Sequence, residues 1–87
     1  MSDTLARRRR AALFRSSRRG TKESDLVIGG FAKAHLASLD DAQLARYEAL
    51  LEQNDPDLLG WIIGLNPAPP EHDHDVLKMM QEFKSSM

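Results

Sequence analysis

In SRRGTKESD, residues 17–25, an arginine pair, a glycine, a glutamate and an aspartate stand within nine positions. Arginine can fork onto a carboxylate, and a glutamate can accept hydrogen bonds from donors on a partner surface. Arg18, Arg19, Gly20, Glu23 and Asp25 are therefore candidate partner-binding residues, grouped around the start of a helix. The alternative is intramolecular: Arg19 or Lys22 paired with Glu23 or Asp25 as a surface network worth under about 1 kcal/mol per pair. Residue types alone leave both open.

The other reactive side chains form no catalytic constellation. His72 and His74 in EHDHD suggest a metal site, but alternate residues of a helix point to different faces, so a solvated acidic helix start is expected there and no metal ligand is assigned. His35 reads as a C-terminal capping side chain or a surface residue. There is no HExxH and no P-loop, and Gly29-Gly30 lacks the spacing of a dinucleotide-binding turn. Asp40, Asp41, Asp55 and Asp57 are accounted for as helix-start acids. The absence of cysteine removes thiolate nucleophiles, disulfides and iron–sulfur ligation. A non-enzymatic protein is the expectation.

The chain's 87 residues suffice for one small domain, which buries about 60% of the surface its unfolded form exposes. The formal charge of -1 is unevenly spread. Residues 1–22 carry eight basic side chains against Asp3, a balance of +7, and residues 23–87 carry four against twelve acids, a balance of -8. A basic N-terminal arm over residues 1–16, which composition leaves free to be flexible, thus precedes an acidic body. Arg7, Arg8, Arg9 and Arg10 could neutralise nucleic-acid phosphates, so a nucleic-acid-binding accessory protein is the alternative function. The acidic body opposes it. The arm also has the composition of a targeting segment, and its apolar face is too poor for membrane insertion.

These residues need a scaffold, and the periodicity supplies helices. Leu5 to Phe14 reads as a short first helix. Thr21 offers an N-cap to a second, whose stripe is Leu26, Val27, Phe31 and Ala34. Gly29 and Gly30 interrupt it, either ending the helix near Ile28 or letting another helix approach closely. Asp40 and Gln43 fit a capping box and Leu39 and Leu44 a hydrophobic staple, predicting a third helix from Asp41 to Gln53. A fourth has Asp55 as N-cap and Pro56 in its first position, with Leu58, Leu59, Trp61, Ile62 and Leu65 as core, closed by Gly64 or Asn66. Its apolar residues nearly encircle it, which predicts the most buried helix. After NPAPP, Glu71 to Phe83 resumes the pattern. The fold class expected is all-α, a single domain over residues 1–87 built as a compact bundle of about five short helices.

In order, Arg19, Gly20, Glu23 and Asp25, then Tyr47, Glu48, Leu51, Asp55, Pro56, Asp57, Leu58 and Trp61, resemble the succinate dehydrogenase assembly factor 2 or FAD assembly factor family, whose signature is RGxxExD. The resemblance spans roughly residues 15 to 83. It implies a five-helix fold and an assembly factor that binds the flavoprotein subunit of succinate dehydrogenase, in bacteria also that of fumarate reductase. That factor promotes covalent attachment of FAD to a histidine of the subunit. It further implies that Arg19, Gly20 and Glu23, with Asp25 and Arg18 beside them, meet the partner, and that FAD belongs to the flavoprotein and is not held stably by this chain. The short leader favours a bacterial cytoplasmic protein, with the mitochondrial matrix as the eukaryotic counterpart. Ser24 departs from the family pattern, which has a larger apolar residue there.

Overall fold

A computed structural model describes residues 2–87, with side chains from residue 4 onward. Five helices form the bundle: α1 (Ser2–Ser16), α2 over residues 22–35, α3 (Asp41–Leu51), α4 (Asp55–Ile62) and α5 (Asp75–Ser85). No strand occurs among the described residues. None of the described helices is long and apolar enough to cross a membrane.

The capping chemistry of α3 is the one the sequence predicts. The Asp40 carboxylate accepts from the Gln43 backbone N–H at 2.8 Å, and the Gln43 side chain returns an acceptor to the Asp40 N–H at 3.1 Å. Leu39 and Leu44 are both fully buried, closing the staple. Thr21 caps α2 through Oγ1, which accepts from the Ser24 N–H at 3.2 Å.

Two helix starts are corrected. Asn54, not Asp55, caps α4: its side chain accepts from the Asp57 N–H at 2.9 Å, leaving Asp55 free for a longer-range partner. The last helix begins at Asp75 and not at Glu71, because Pro70–His72 forms a separate 3₁₀ turn and His74 serves as the cap. His74 Nδ1 accepts from the Leu77 N–H at 3.3 Å.

Helix α2 departs most from its expected geometry. Asp25–Gly29 is wound as a π-helix between α-helical Lys22–Ser24 and Gly30–His35. The wider turn shifts the inward face, so Val27, Ile28, Phe31 and Ala32 are buried while Leu26, expected in the core stripe, is 57% exposed. The glycine pair does not end the helix. Both positions serve close approach: a Cβ at Gly29 would lie 3.3 Å from the Ser16 carbonyl oxygen, and one at Gly30 would lie 3.3 Å from the Phe83 ring.

The core lies between α2 and α3, with α1, α4 and α5 around it. Phe31 meets Tyr47 at 5.7 Å and Phe83 edge-on at 6.0 Å between ring centroids. Leu58 and Ile62 of α4 and Val76, Leu77 and Met80 of α5 complete it. Within α4, Leu58, Trp61 and Ile62 are buried and Leu59 half-buried, as the apolar pattern predicts, whereas Leu65, expected in the core, is 74% exposed. Leu65 lies beyond the helix end, where Gly64 turns to φ +82° and the Leu65 N–H donates back to the Gly60 carbonyl at 2.8 Å.

Helix α1 lies along α3. Ala12 is buried and Leu5 packs on the core. Arg8 pairs with Asp41 and Glu48, and Arg15 with Glu52 at 2.7 Å. The two carboxylates on Arg8 hold its guanidinium well above the ordinary arginine range, Glu48 contributing most. Part of the basic arm is thus neutralised by the acidic body that follows it in sequence.

Candidate functional site

The loop between α1 and α2 brings the RGxxExD residues together. Its entrance is the frayed end of α1, where the Ser17 N–H is shared between the Leu13 and Phe14 carbonyls at 3.2 Å each. Gly20 turns the chain at φ +111°, a conformation that side chains strain. Space is not the constraint, since the nearest atom to an added Cβ there would be Asp55 Oδ2 at 3.9 Å.

Arg19 is turned inward. Its side chain is 9% exposed, and it pairs through Nε with Asp55 Oδ1 at 2.8 Å. Nη1 donates to the Leu51 carbonyl at 2.9 Å and Nη2 to the Gln53 carbonyl at 2.8 Å. One guanidinium therefore satisfies carbonyls at the end of α3 and the acid in the first turn of α4, both of which need a donor or cation. The Arg19 backbone N–H donates to Asp25 Oδ1 at 2.8 Å, which ties the loop to the π-helical stretch.

Arg18, Gly20 and Glu23 face solvent. The Arg18 guanidinium stacks over the Phe14 ring, 4.7 Å from its centroid, and Phe14 is itself 60% exposed. Glu23 makes no side-chain hydrogen bond or ion pair among the described residues. Beside them runs an open groove lined by Ser17, Arg18, Gly20, Thr21, Lys22, Asp25 and Leu26. Of the five residues named from sequence, three thus project outward and two, Arg19 and Asp25, hold the loop's shape.

Beneath the loop, Ser16 Oγ donates to the Ala12 carbonyl at 2.6 Å and shares a hydrogen bond with Tyr47 Oη. Burial pushes the Tyr47 hydroxyl up to about 12, against the opposing effect of Ser16. Ser24 is fully buried, and its Oγ has no hydrogen-bond partner among the described residues.

The histidines have other jobs. His72 is buried and stacks on Trp61 at 5.4 Å, a correction to its expected solvated position. His35 packs between Phe31 and Phe83 at 5.1 and 5.9 Å. No group of three or more potential metal-ligating side chains occurs among the described residues. Sequence reasoning missed Asp55 as the partner of Arg19 and Phe14 as the platform for Arg18. The signal for the first was Asn54, an equally good cap one residue earlier that releases Asp55.

Comparison with known proteins identifies the family. A family profile described as "Flavinator of succinate dehydrogenase" matches residues 10–84. The chain is similar to the FAD assembly factor SdhE of Acetobacter pasteurianus, 41% identical over 80 residues, covering 92% of this chain and 73% of that one. It is also similar to the mitochondrial succinate dehydrogenase assembly factor 2 of Dictyostelium discoideum, 40% identical over 73 residues, or 84% of this chain and 52% of the relative. The Meyerozyma guilliermondii protein of that name is 37% identical over 84 residues, 92% of this chain and 62% of the relative. The chain spans between about half and two thirds of these mitochondrial relatives and more of the bacterial one. A match over most of the chain places this protein in the family of flavinators of succinate dehydrogenase.

Proposed function

We propose that this chain binds the flavoprotein subunit of succinate dehydrogenase and promotes covalent attachment of FAD by holding that subunit in a reactive arrangement. The observation that carries this is the loop: Arg18, Gly20 and Glu23 are presented outward while Arg19 is locked beneath them by Asp55. A pre-shaped charged loop lowers the cost of ordering on binding.

The flavin supplies the bond-forming chemistry. The residues here fit a flavin poorly as a resident group, since the groove beside Gly20 has no aromatic ring in its lining to stack an isoalloxazine. FAD is therefore assigned to the partner. What this chain contributes is position: Arg18 to a carboxylate of the flavoprotein, Glu23 to a donor or cation, and Gly20 the close backbone approach between them. Proton transfer by Glu23 or Arg19 is not required.

The nucleic-acid reading loses support from the pairing of Arg8 and Arg15 with acids of α3 and of the residue after it. The setting is the compartment where the flavoprotein acquires FAD, the cytoplasm of a bacterium or the mitochondrial matrix. Co-purification tests the assignment: the flavoprotein subunit, or that of fumarate reductase as a second candidate, is expected to be retained by the tagged chain. Retention unaffected by Arg18→Glu and Glu23→Lys together would overturn the role of the loop.

A further inference from the structure

A second groove lies between α1 and α2, away from the RGxxExD loop. Leu13, Leu36 and Ala37 form its apolar surface, and Arg9, Arg10 and Lys33 stand around it. No acid lines it. Its volume is about 190 Å³, below the roughly 300–1,000 Å³ of small-molecule sites, so it suits a single side chain.

Two of the three rim cations are available. Arg10 and Lys33 are exposed and form no ion pair among the described residues, unlike Arg8 and Arg15 on the same helix. Arg9 is fixed in place by donating from Nη2 to the Leu39 carbonyl at 2.7 Å. Arg10, Leu13 and Ser17 stand three and four residues apart, Arg10 and Leu13 on α1 and Ser17 directly after its end, and Ser17 also lines the loop groove. One face of α1 therefore runs from the basic groove to the docking loop.

We propose that this groove is a second contact for the flavoprotein subunit, receiving one large apolar side chain that is flanked by carboxylates. The inference rests on the function proposed above. Three cations around an apolar recess are complementary to an acidic segment carrying a Leu, Ile or Phe, and the recess is too small for an acyl chain. The loop sets register, and the groove adds electrostatic attraction and one apolar anchor.

The test measures association of the full chain with the FAD-loaded flavoprotein subunit at low and high salt. Arg10→Glu with Lys33→Glu is expected to slow association roughly tenfold at low salt and to flatten its salt dependence, because rim charges act mainly on encounter. Ala37→Phe, which fills the recess without changing charge, is expected to weaken binding chiefly by faster dissociation. Both changes are at exposed positions, and circular dichroism checks that the helices persist. Wild-type binding with both variants unchanged overturns the groove alone. No wild-type complex at all overturns the groove together with the proposed function, and a self-association that Ala37→Phe abolishes assigns the groove to a second copy and overturns it as a flavoprotein contact.

Discussion

Arg19 and Asp55, 36 positions apart in sequence, form an ion pair at 2.8 Å with only 9% and 15% of their side chains exposed. The relationship separates two tasks within one motif. Arg19 holds the loop to the junction of α3 and α4, while Arg18 and Glu23 stay exposed, the two side chains that the proposed function turns to the partner.

Breaking that pair is expected to be costly. Arg19→Ala leaves a shielded carboxylate and two carbonyls without their donor, and the loss expected is about 3 kcal/mol or more of folding stability. Arg19→Lys keeps the charge but loses the fork and recovers only part of it. Denaturant unfolding of both variants checks this. Equal stability of wild type and Arg19→Ala would mean that the strut contributes nothing.

Ser24 offers the opposite outcome. Its hydroxyl is buried with no hydrogen-bond partner among the described residues. Removing it by Ser24→Ala is expected to stabilise the fold by about 1 kcal/mol, seen as a higher melting temperature. A lower melting temperature would show that the hydroxyl is satisfied in solution.

Acidification is expected to loosen α5. Burial holds the His74 imidazole below its ordinary value of 6.5, outweighing the opposing Asp75 carboxylate, while Arg46 and His72 act in the same direction as burial. Its Nδ1 must also stay unprotonated to accept from Leu77. The unfolded chain then binds the proton more readily, so this contribution is complete above pH 6.5 and is lost as pH falls through the folded value. Thermal melts from pH 7.5 downward are expected to fall less steeply in His74→Asn, which keeps a capping side chain that does not titrate. Identical slopes in the two proteins would remove His74 as the cause.

What the sequence made legible was what depends on neighbours in the chain. The Asp40–Gln43 capping box, the Leu39–Leu44 staple and the Thr21 cap all act within about one helical turn, and the structure places each as read. The exposure of Leu26 was not legible, because the π-helical turn that rotates it outward lies where α1 and α5 press on Gly29 and Gly30. Arg19 shows the same limit. Its neighbours suggested a surface pair with Glu23 or Asp25, whereas the partner that captures its guanidinium comes from α4. The exposure of Arg18 and Glu23 was legible, because a charge without an internal partner stays at the surface of a small domain.

The most direct measurement is covalent flavin fluorescence on the flavoprotein subunit after co-expression with this chain. Wild type is expected to give strong labelling. Glu23→Ala, which removes an exposed carboxylate with no side-chain partner among the described residues, is expected to reduce labelling severely while leaving the melting temperature of the assembly factor unchanged. Gly20→Arg, forced to φ +111°, is expected to lose both labelling and stability. Full labelling with Glu23→Ala and Arg18→Glu combined, in a folded protein, would contradict the claim that this loop positions the flavoprotein.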